Sequence, residues 1–277
     1  MKSNKFNIYC IIEARTSSTR LPNKVSKNLS SKHKVIDFVV QNLINSKIEK
    51  KKIILALPKN KKNNNLQKYI KRKFNLKVFR GNEKNVYKRV FDCCKKYKIK
   101  NFLRITADNV FLDPILINQA IKFYYKKNLK YLSTRTMEHT NKWTETSDYN
   151  EGSSIEIINF ENYKKVKNLV SRNDCEYPTW HLFSNPKFFK LSKFILINRY
   201  KKIISKKNLK KIRSTLDTKE DYNFLLKIVH ELNLKPGKNN FLKIVKNFKK
   251  IQKYLKINKN INKKIAYKII RKRNQSS

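Results

Sequence analysis

An α/β fold on a mostly parallel sheet is what this sequence predicts, and three observations predict it. Short β-branched apolar runs alternate with segments of helical periodicity, at spacings that suit crossover connections. The runs are apolar at consecutive positions, as strands buried on both faces are. Polar, charged loops follow several of the runs, where the ligands of parallel sheets sit.

Asn7–Glu13 is the first run, and it stops at the polar, Pro-containing loop Ala14–Lys24. Val35–Lys47 carries apolar residues at Ile36, Val39, Val40, Leu43 and Ile44, which is helical spacing. Lys52–Leu57 reads as a second buried strand closed by Pro58, Asn64–Phe74 as a helix, and Lys77–Phe79 as a short strand ending at Arg80–Gly81. Val86–Tyr97 is helical again, and Asn101–Thr106 is a strand running into Ala107–Asp108. Pro114 suits the first turn of a helix that continues over Ile115–Tyr125. Ser133–Asp148, with His139 and Trp143, is polar and irregular and reads as a substrate loop or lid. Ser154–Ile158 is a strand candidate followed by a Phe160–Leu169 helix. Lys211–Leu216 reads as a further strand leading into Asp217–Thr218 and a helix over Asp221–Leu232. After Leu232 the chain is Lys-rich but keeps apolar periodicity at Phe241, Ile244, Val245, Phe248 and Ile251. Docked helices are expected there, with a frayed end after Arg271.

A hydrophobic share of 39% over 277 residues can fill the core of one large domain. The chain carries 67 Lys and Arg against 19 Asp and Glu, a net charge of +48. Lys recurs through nearly every stretch, in clusters such as Lys50–Lys52, Lys59–Lys62 and Lys206–Lys211, so the charge reads mainly as a bias of the whole protein. An RNA or membrane-surface binder is the functional alternative. Either way a positive field attracts anionic ligands. Cys10, Cys93, Cys94 and Cys175 have no metal-type spacing and read as reduced thiols, which fits a cytoplasmic protein. The N-terminal apolar run Ile8–Ile12 is too short for a leader, and no stretch approaches the roughly 20 apolar residues of a membrane span.

The loop Ala-Arg-Thr-Ser-Ser-Thr-Arg-Leu-Pro-Asn-Lys, residues Ala14–Lys24, is dense in polyphosphate chemistry. Arg15 and Arg20 offer forked donors, Lys24 a compact ammonium, and Thr16, Ser17 and Ser18 hydroxyls. On composition alone, a polar loop with incidental charges in a Lys-rich chain accounts for it equally well. It is not a Walker A loop, because the Gly-x-x-x-x-Gly-Lys pattern is missing.

The segment resembles the Ala-Arg-x-x-Ser-x-Arg-Leu-Pro-x-Lys signature of the cytidylyltransferases that make CMP-sugars, with Ala14, Arg15, Ser18, Arg20, Leu21, Pro22 and Lys24 in agreement. That family includes the CMP-Kdo and CMP-neuraminate synthetases, and the likeness is greatest to its spore-coat polysaccharide biosynthesis protein F branch. Phe79-Arg80-Gly81 with Val86 and Arg89, then Arg104-Ile105-Thr106-Ala107-Asp108, match the branch in order. Gly152 with Glu156, Glu176 with Thr179, and Leu216-Asp217-Thr218 with Asp221 continue the match.

The resemblance implies a Rossmann-like nucleotide-diphospho-sugar transferase fold, a mixed and mostly parallel sheet with flanking helices. The nucleotidyltransferase domain is expected over 1–232, and the apolar periodicity beyond it makes 233–277 a Lys-rich helical extension packed on the same domain. The resemblance implies transfer of CMP from CTP to a small acidic, sugar-like acceptor with Mg²⁺ as cofactor, and it admits a homodimer. Asp108 and Asp217 would be the metal ligands. Arg15 and Lys24 would hold and neutralise the phosphates, with Ala14, Ser18, Arg20, Arg80, Arg104 and Asp108 around the nucleotide. Arg20 could instead pair with a carboxylate, and Arg80 and Arg104 could instead brace loops. Gly152 and Glu156 would lie on the acceptor side. For Asp108 and for Asp217 the plain alternative is a helix N-cap. His181 beside Trp180 reads as packing.

The chain departs from the branch at Glu13, where Gln is usual, and at Thr16-Ser17, where Met-Gly is usual. Asn85 replaces an Asp, and Ser154 replaces the Asp between Gly152 and Glu156. One rival is a glycosyltransferase on the same fold, which needs an acidic pair close in sequence that the separated Asp108 and Asp113 fit poorly. Ser17, Asn85, Ser154 and the +48 charge keep a second in view, a non-catalytic nucleotide- or RNA-binding relative.

Overall fold

Consecutive apolar residues build the sheet outward from its centre. In the computed structural model, which describes residues 6–139, 143–147, 150–168, 179, 182, 192–193, 200, 202–259 and 261, β1 (Tyr9–Glu13) is an inner strand, next to the middle one. It pairs in parallel with β2 (Ile53–Pro58) on one side and with β4 (Asn101–Thr106) on the other. β3 (Lys77–Gly81) extends the parallel run beyond β2. On the far side β8 (Glu156–Asn159) runs antiparallel to both β4 and β5 (Tyr131–Ser133), and β9 (Ser192–Lys193) pairs in parallel with β5. The order of the seven strands is β3-β2-β1-β4-β8-β5-β9. The chain leaves β1 toward β2 and returns to its other side with β4. The crevice at the carboxyl ends of β1 and β4 is therefore the switch point, where such sheets take ligands.

Alternation along each strand divides the apolar residues between two cores. Cys10, Ile12, Leu55, Leu103, Ile105 and Ile157 face one layer. That layer holds the helices α1 (Val35–Ile44), α2 (Asn64–Phe74) and α4 (Pro114–Lys126). Ile11, Ile54, Phe102 and Ile158 face the other, against α3 (Val86–Lys96) and α5 (Phe160–Lys165). Every residue of β2 is buried, as a strand covered on both faces must be.

Two expectations are corrected. Ser133–Asp148 is not irregular throughout: β6 (Arg135–His139) and β7 (Trp143–Ser147) pair as an antiparallel hairpin. Its Thr residues and Trp143 favour strands, but no apolar run marks them. Lys211–Leu216 forms no strand; it makes only single bridges, Thr215 with Asn109 and Arg213 with Glu151. The segment meets each neighbour once, so no ladder develops. After it come a short helix-capped turn and α7 (Lys219–Glu231), preceded in the chain by the short α6 (Lys206–Leu209).

Beyond residue 232, α8 (Asn240–Lys246), α9 (Phe248–Ile251) and a 3-10 segment over Gln252–Ile257 follow. Phe241, Ile244, Val245, Ile251 and Leu255 are buried in the same core as β1. Cys175, Glu176, Trp180, His181 and the end after Arg271 lie outside the described residues.

Candidate functional site

The loop after β1 is held at both ends by backbone and in the middle by a side chain. Ala14 N–H donates to Ala56 O at 3.3 Å, and Asn23 N–H to Thr16 O at 3.0 Å. Thr16 replaces the usual apolar residue, and its N–H and Oγ1 both reach Asn63 Oδ1, at 3.1 and 3.2 Å. Ser18 Oγ accepts from Leu21 N–H at 3.4 Å. Asn23 turns the chain in the left-handed region, φ 54°, which Asn tolerates better than most residues. Lys24 then opens a 3-10 turn and is buried. Ser17, where Gly is usual, is exposed.

Asp108 and Asp217 arrive from opposite ends of the sequence at that lysine. Lys24 Nζ donates to Asp108 Oδ2 at 2.5 Å and to Asp217 Oδ1 at 3.1 Å. Backbone pairing sets the two aspartates side by side, because Leu216 N–H donates to Asp108 O at 3.0 Å. Arg20 Nη2 also reaches Asp217 Oδ1 at 3.1 Å, and Arg213 Nη2 reaches Asp217 Oδ2 at 2.9 Å. Arg213 is itself locked by Asp221, Nε to Oδ1 at 2.8 Å.

Neither aspartate is spent on a helix cap. Asp113, not Asp108, caps α4, accepting from Ile115 N–H at 2.9 Å. Thr218 caps α7 with Asp221 as the reciprocal partner. Both carboxylates are thereby left to face the lysine.

Electrostatics follow from that geometry. Burial alone would lower the Lys24 pKa, but the Asp108 and Asp217 charges and hydrogen bonds outweigh it, and the value is raised. For Asp217, burial pushes upward, while Lys24, Arg20 and Arg213 pull harder, and its pKa is lowered. Two carboxylates turned toward one point are a hard-oxygen donor pair of the kind that holds Mg²⁺ together with phosphates and water. Among the described residues, no group of three or more His, Cys, Asp or Glu side chains is placed to hold a metal ion.

Other predicted residues lie elsewhere. Arg80 is two strands from the switch point and braces the turn after β2, donating to Pro58 O at 3.0 Å, to Gln67 Oε1 at 2.6 Å and to Asn60 O. Arg104, largely covered, makes a bidentate pair with Glu13, both bonds 2.8 Å, and donates to Glu156 Oε2 at 2.6 Å. Glu156 further accepts from Tyr131 at 2.7 Å and from Thr179 at 3.0 Å. Gly152, at φ 99°, packs so closely on the 214–215 backbone that a Cβ would lie 2.5 Å from Thr215 N. It thus spaces the segment that carries Asp217. Asn85 caps α3, accepting from Lys88 N–H at 2.7 Å, which is the work an Asp would do there. Arg213 was not legible in the sequence as a site residue, because its four-residue offset from Asp217 crosses a non-helical bend.

Over 225 residues the chain is 29% identical to an uncharacterised protein of Methanocaldococcus jannaschii, covering 81% of this chain and 84% of that one. It is 25% identical over 236 residues to the spore coat polysaccharide biosynthesis protein SpsF of Bacillus subtilis, covering 83% and 89%. The solved structure of a cytidylyltransferase from Leptospira borgpetersenii superposes with a TM-score of 0.72 at 21% identity, over 92% of this chain and 97% of that one. The Rossmann-like nucleotidyltransferase fold is thus the fold of this chain. No helix among the described residues is long and apolar enough to cross a membrane. The model of the cytidylyltransferase family matches residues 9–244, from the first strand through the loop, both aspartates and into α8, and the chain belongs to that family of nucleotidyltransferases.

Proposed function

We propose that this protein transfers CMP from CTP to a sugar acid or related surface-glycan precursor, releasing pyrophosphate. The observation that carries the reading is the meeting of Lys24, Asp108 and Asp217 at the mouth of the β1–β4 crevice. Arg15 and Lys24 neutralise the charge that grows on the departing pyrophosphate, and the Ser18–Asn23 turn offers hydroxyl and N–H donors. Arg20, with its side chain 48% exposed, exchanges Asp217 for a phosphate oxygen. Asp108 and Asp217 would hold Mg²⁺, which supplies positive charge to the phosphate oxygens when bound. The attacking hydroxyl belongs to the acceptor, so the chain needs no nucleophile of its own. The described thiols suit that reading, since burial pushes Cys93 up to about 12 and raises Cys10 and Cys94 as well. We assign Arg80 and Arg104 to bracing the nucleotide side, and Gly152 and Glu156 to shaping the acceptor side. The surface-glycan class of acceptor is supported by the relative that serves spore-coat polysaccharide synthesis.

The test is pyrophosphate release by the purified chain with Mg²⁺, each nucleoside triphosphate in turn, and a panel of sugar acids. Release is expected with CTP and an acceptor together. A broad panel that supports none, alongside RNA binding at physiological salt, would overturn the reading.

A further inference from the structure

Resting on that reading, we propose that Lys24 is a latch on the metal site. Without nucleotide its ammonium holds the carboxylate pair that a divalent cation requires, and the triphosphate admits the cation by drawing the ammonium away.

The argument begins with occupancy. Lys24 Nζ lies 2.5 Å from Asp108 Oδ2 and 3.1 Å from Asp217 Oδ1, so it sits where the two carboxylates converge. A divalent cation bonded to the same oxygens, at roughly 2.0–2.1 Å for Mg²⁺, would have to share that space with an ammonium of like charge. Asp217 offers no open side, because Oδ1 also accepts from Arg20 and Oδ2 from Arg213. Nor is there a third acidic or imidazole ligand to tip the balance, since no such group of three exists among the described residues. The protein alone presents two carboxylates, both turned onto Lys24, with Asp217 shared among Lys24, Arg20 and Arg213.

Release needs only the Lys24 and Arg20 side chains to move, because Arg213 holds the other oxygen of Asp217, Oδ2. The backbone at Lys24 is pinned by the 3-10 turn, in which Lys27 N–H donates to Lys24 O at 3.3 Å, and by the Asn23 bond to Thr16. The ammonium rides on a flexible four-carbon stem. A triphosphate entering the loop brings several negative charges to the same ammonium and to Arg20, and so competes directly with the aspartates. The carboxylates then face the phosphates with no cation between them. Metal therefore enters with or after the nucleotide, never before it.

The test uses Mn²⁺ as the probe, with free Mn²⁺ followed by electron paramagnetic resonance on the full chain and no nucleotide present. Wild type is expected to bind weakly, and Lys24→Met, with the competing like charge removed, to bind tighter by about tenfold or more. The gain must vanish in Lys24→Met with Asp108→Asn. Equal affinity in wild type and Lys24→Met overturns the latch, and so does a gain that survives Asp108→Asn. Wild type gives a second reading that does not depend on any variant folding. A non-hydrolysable CTP analogue should bring more Mn²⁺ into the bound state than the analogue binds by itself. Tight Mn²⁺ binding to nucleotide-free wild type overturns the latch while leaving cytidylyl transfer standing. Failure to bind CTP at all overturns the functional reading, and the latch with it.

Discussion

Asp217 is the residue on which most of the site's charge converges, since Lys24, Arg20 and Arg213 all reach it. Asp217→Asn keeps the shape and removes the charge, so CTP-dependent turnover should fall by about 100-fold or more while the melting curve changes little by comparison. Unchanged turnover would remove Asp217 from the site. Lys24 carries a pH signature with a definite sign. Its folded pKa is raised above the ordinary 10.5, so the pairing contributes fully below that value and is lost as pH rises through the folded value. Thermal stability followed through that alkaline range should drop, and Lys24→Met should flatten that part of the profile. Gly152 is constrained differently, by a positive φ and by the 214–215 backbone against it. Gly152→Ala should cost about 1–3 kcal/mol in urea unfolding, and should impair turnover because the displaced segment leads to Asp217.

Between elements, the buried polar network matters more than any surface pair. Arg104 on β4 joins Glu13 at the end of β1 to Glu156 at the start of β8, so one guanidinium ties three neighbouring strands. Arg104→Met would strand two buried carboxylates, and a loss of about 3–5 kcal/mol is expected in denaturant titration. The capping box of α7 links stability to the site, because Asp221 accepts from Thr218 N–H at 3.1 Å and also holds Arg213 at 2.8 Å. Helix existence and type were legible from apolar spacing; α2, for example, is found over the residues that its periodicity marks. The hairpin β6–β7 was not, since its residues alternate without an apolar run. The strand expected over Lys211–Leu216 was misread for the opposite reason: its Ile and Leu are buried by tertiary contacts, not by a ladder.

At the scale of the whole molecule, +48 is a large self-repulsion for 277 residues. Several of the 19 acidic residues are committed inside the fold, among them Glu13, Asp37, Asp113, Glu156 and Asp221. The surface is correspondingly left to Lys. Added salt screens that repulsion, so the melting temperature should rise between about 0.05 and about 0.3 M monovalent salt. A flat or falling curve would mean that site ion pairs, not surface repulsion, dominate the salt response. Nucleotide affinity should move the opposite way, weakening as the field that gathers anions is screened.

By itself the sequence determined the parallel sheet, the helices that flank it and the loop Ala14–Lys24, because hydrophobic periodicity and local residue chemistry are written in order along the chain. It also marked Asp108 and Asp217, but left each open as a helix cap. Only the tertiary structure decided that point, by giving the caps to Asp113 and Thr218 and turning both aspartates onto Lys24. Arg213 and the Arg104 network belong to the same category. Their partners are distant in the sequence or joined across a bend, and no local pattern encodes a meeting that depends on how the strands and the 213–217 segment are brought together.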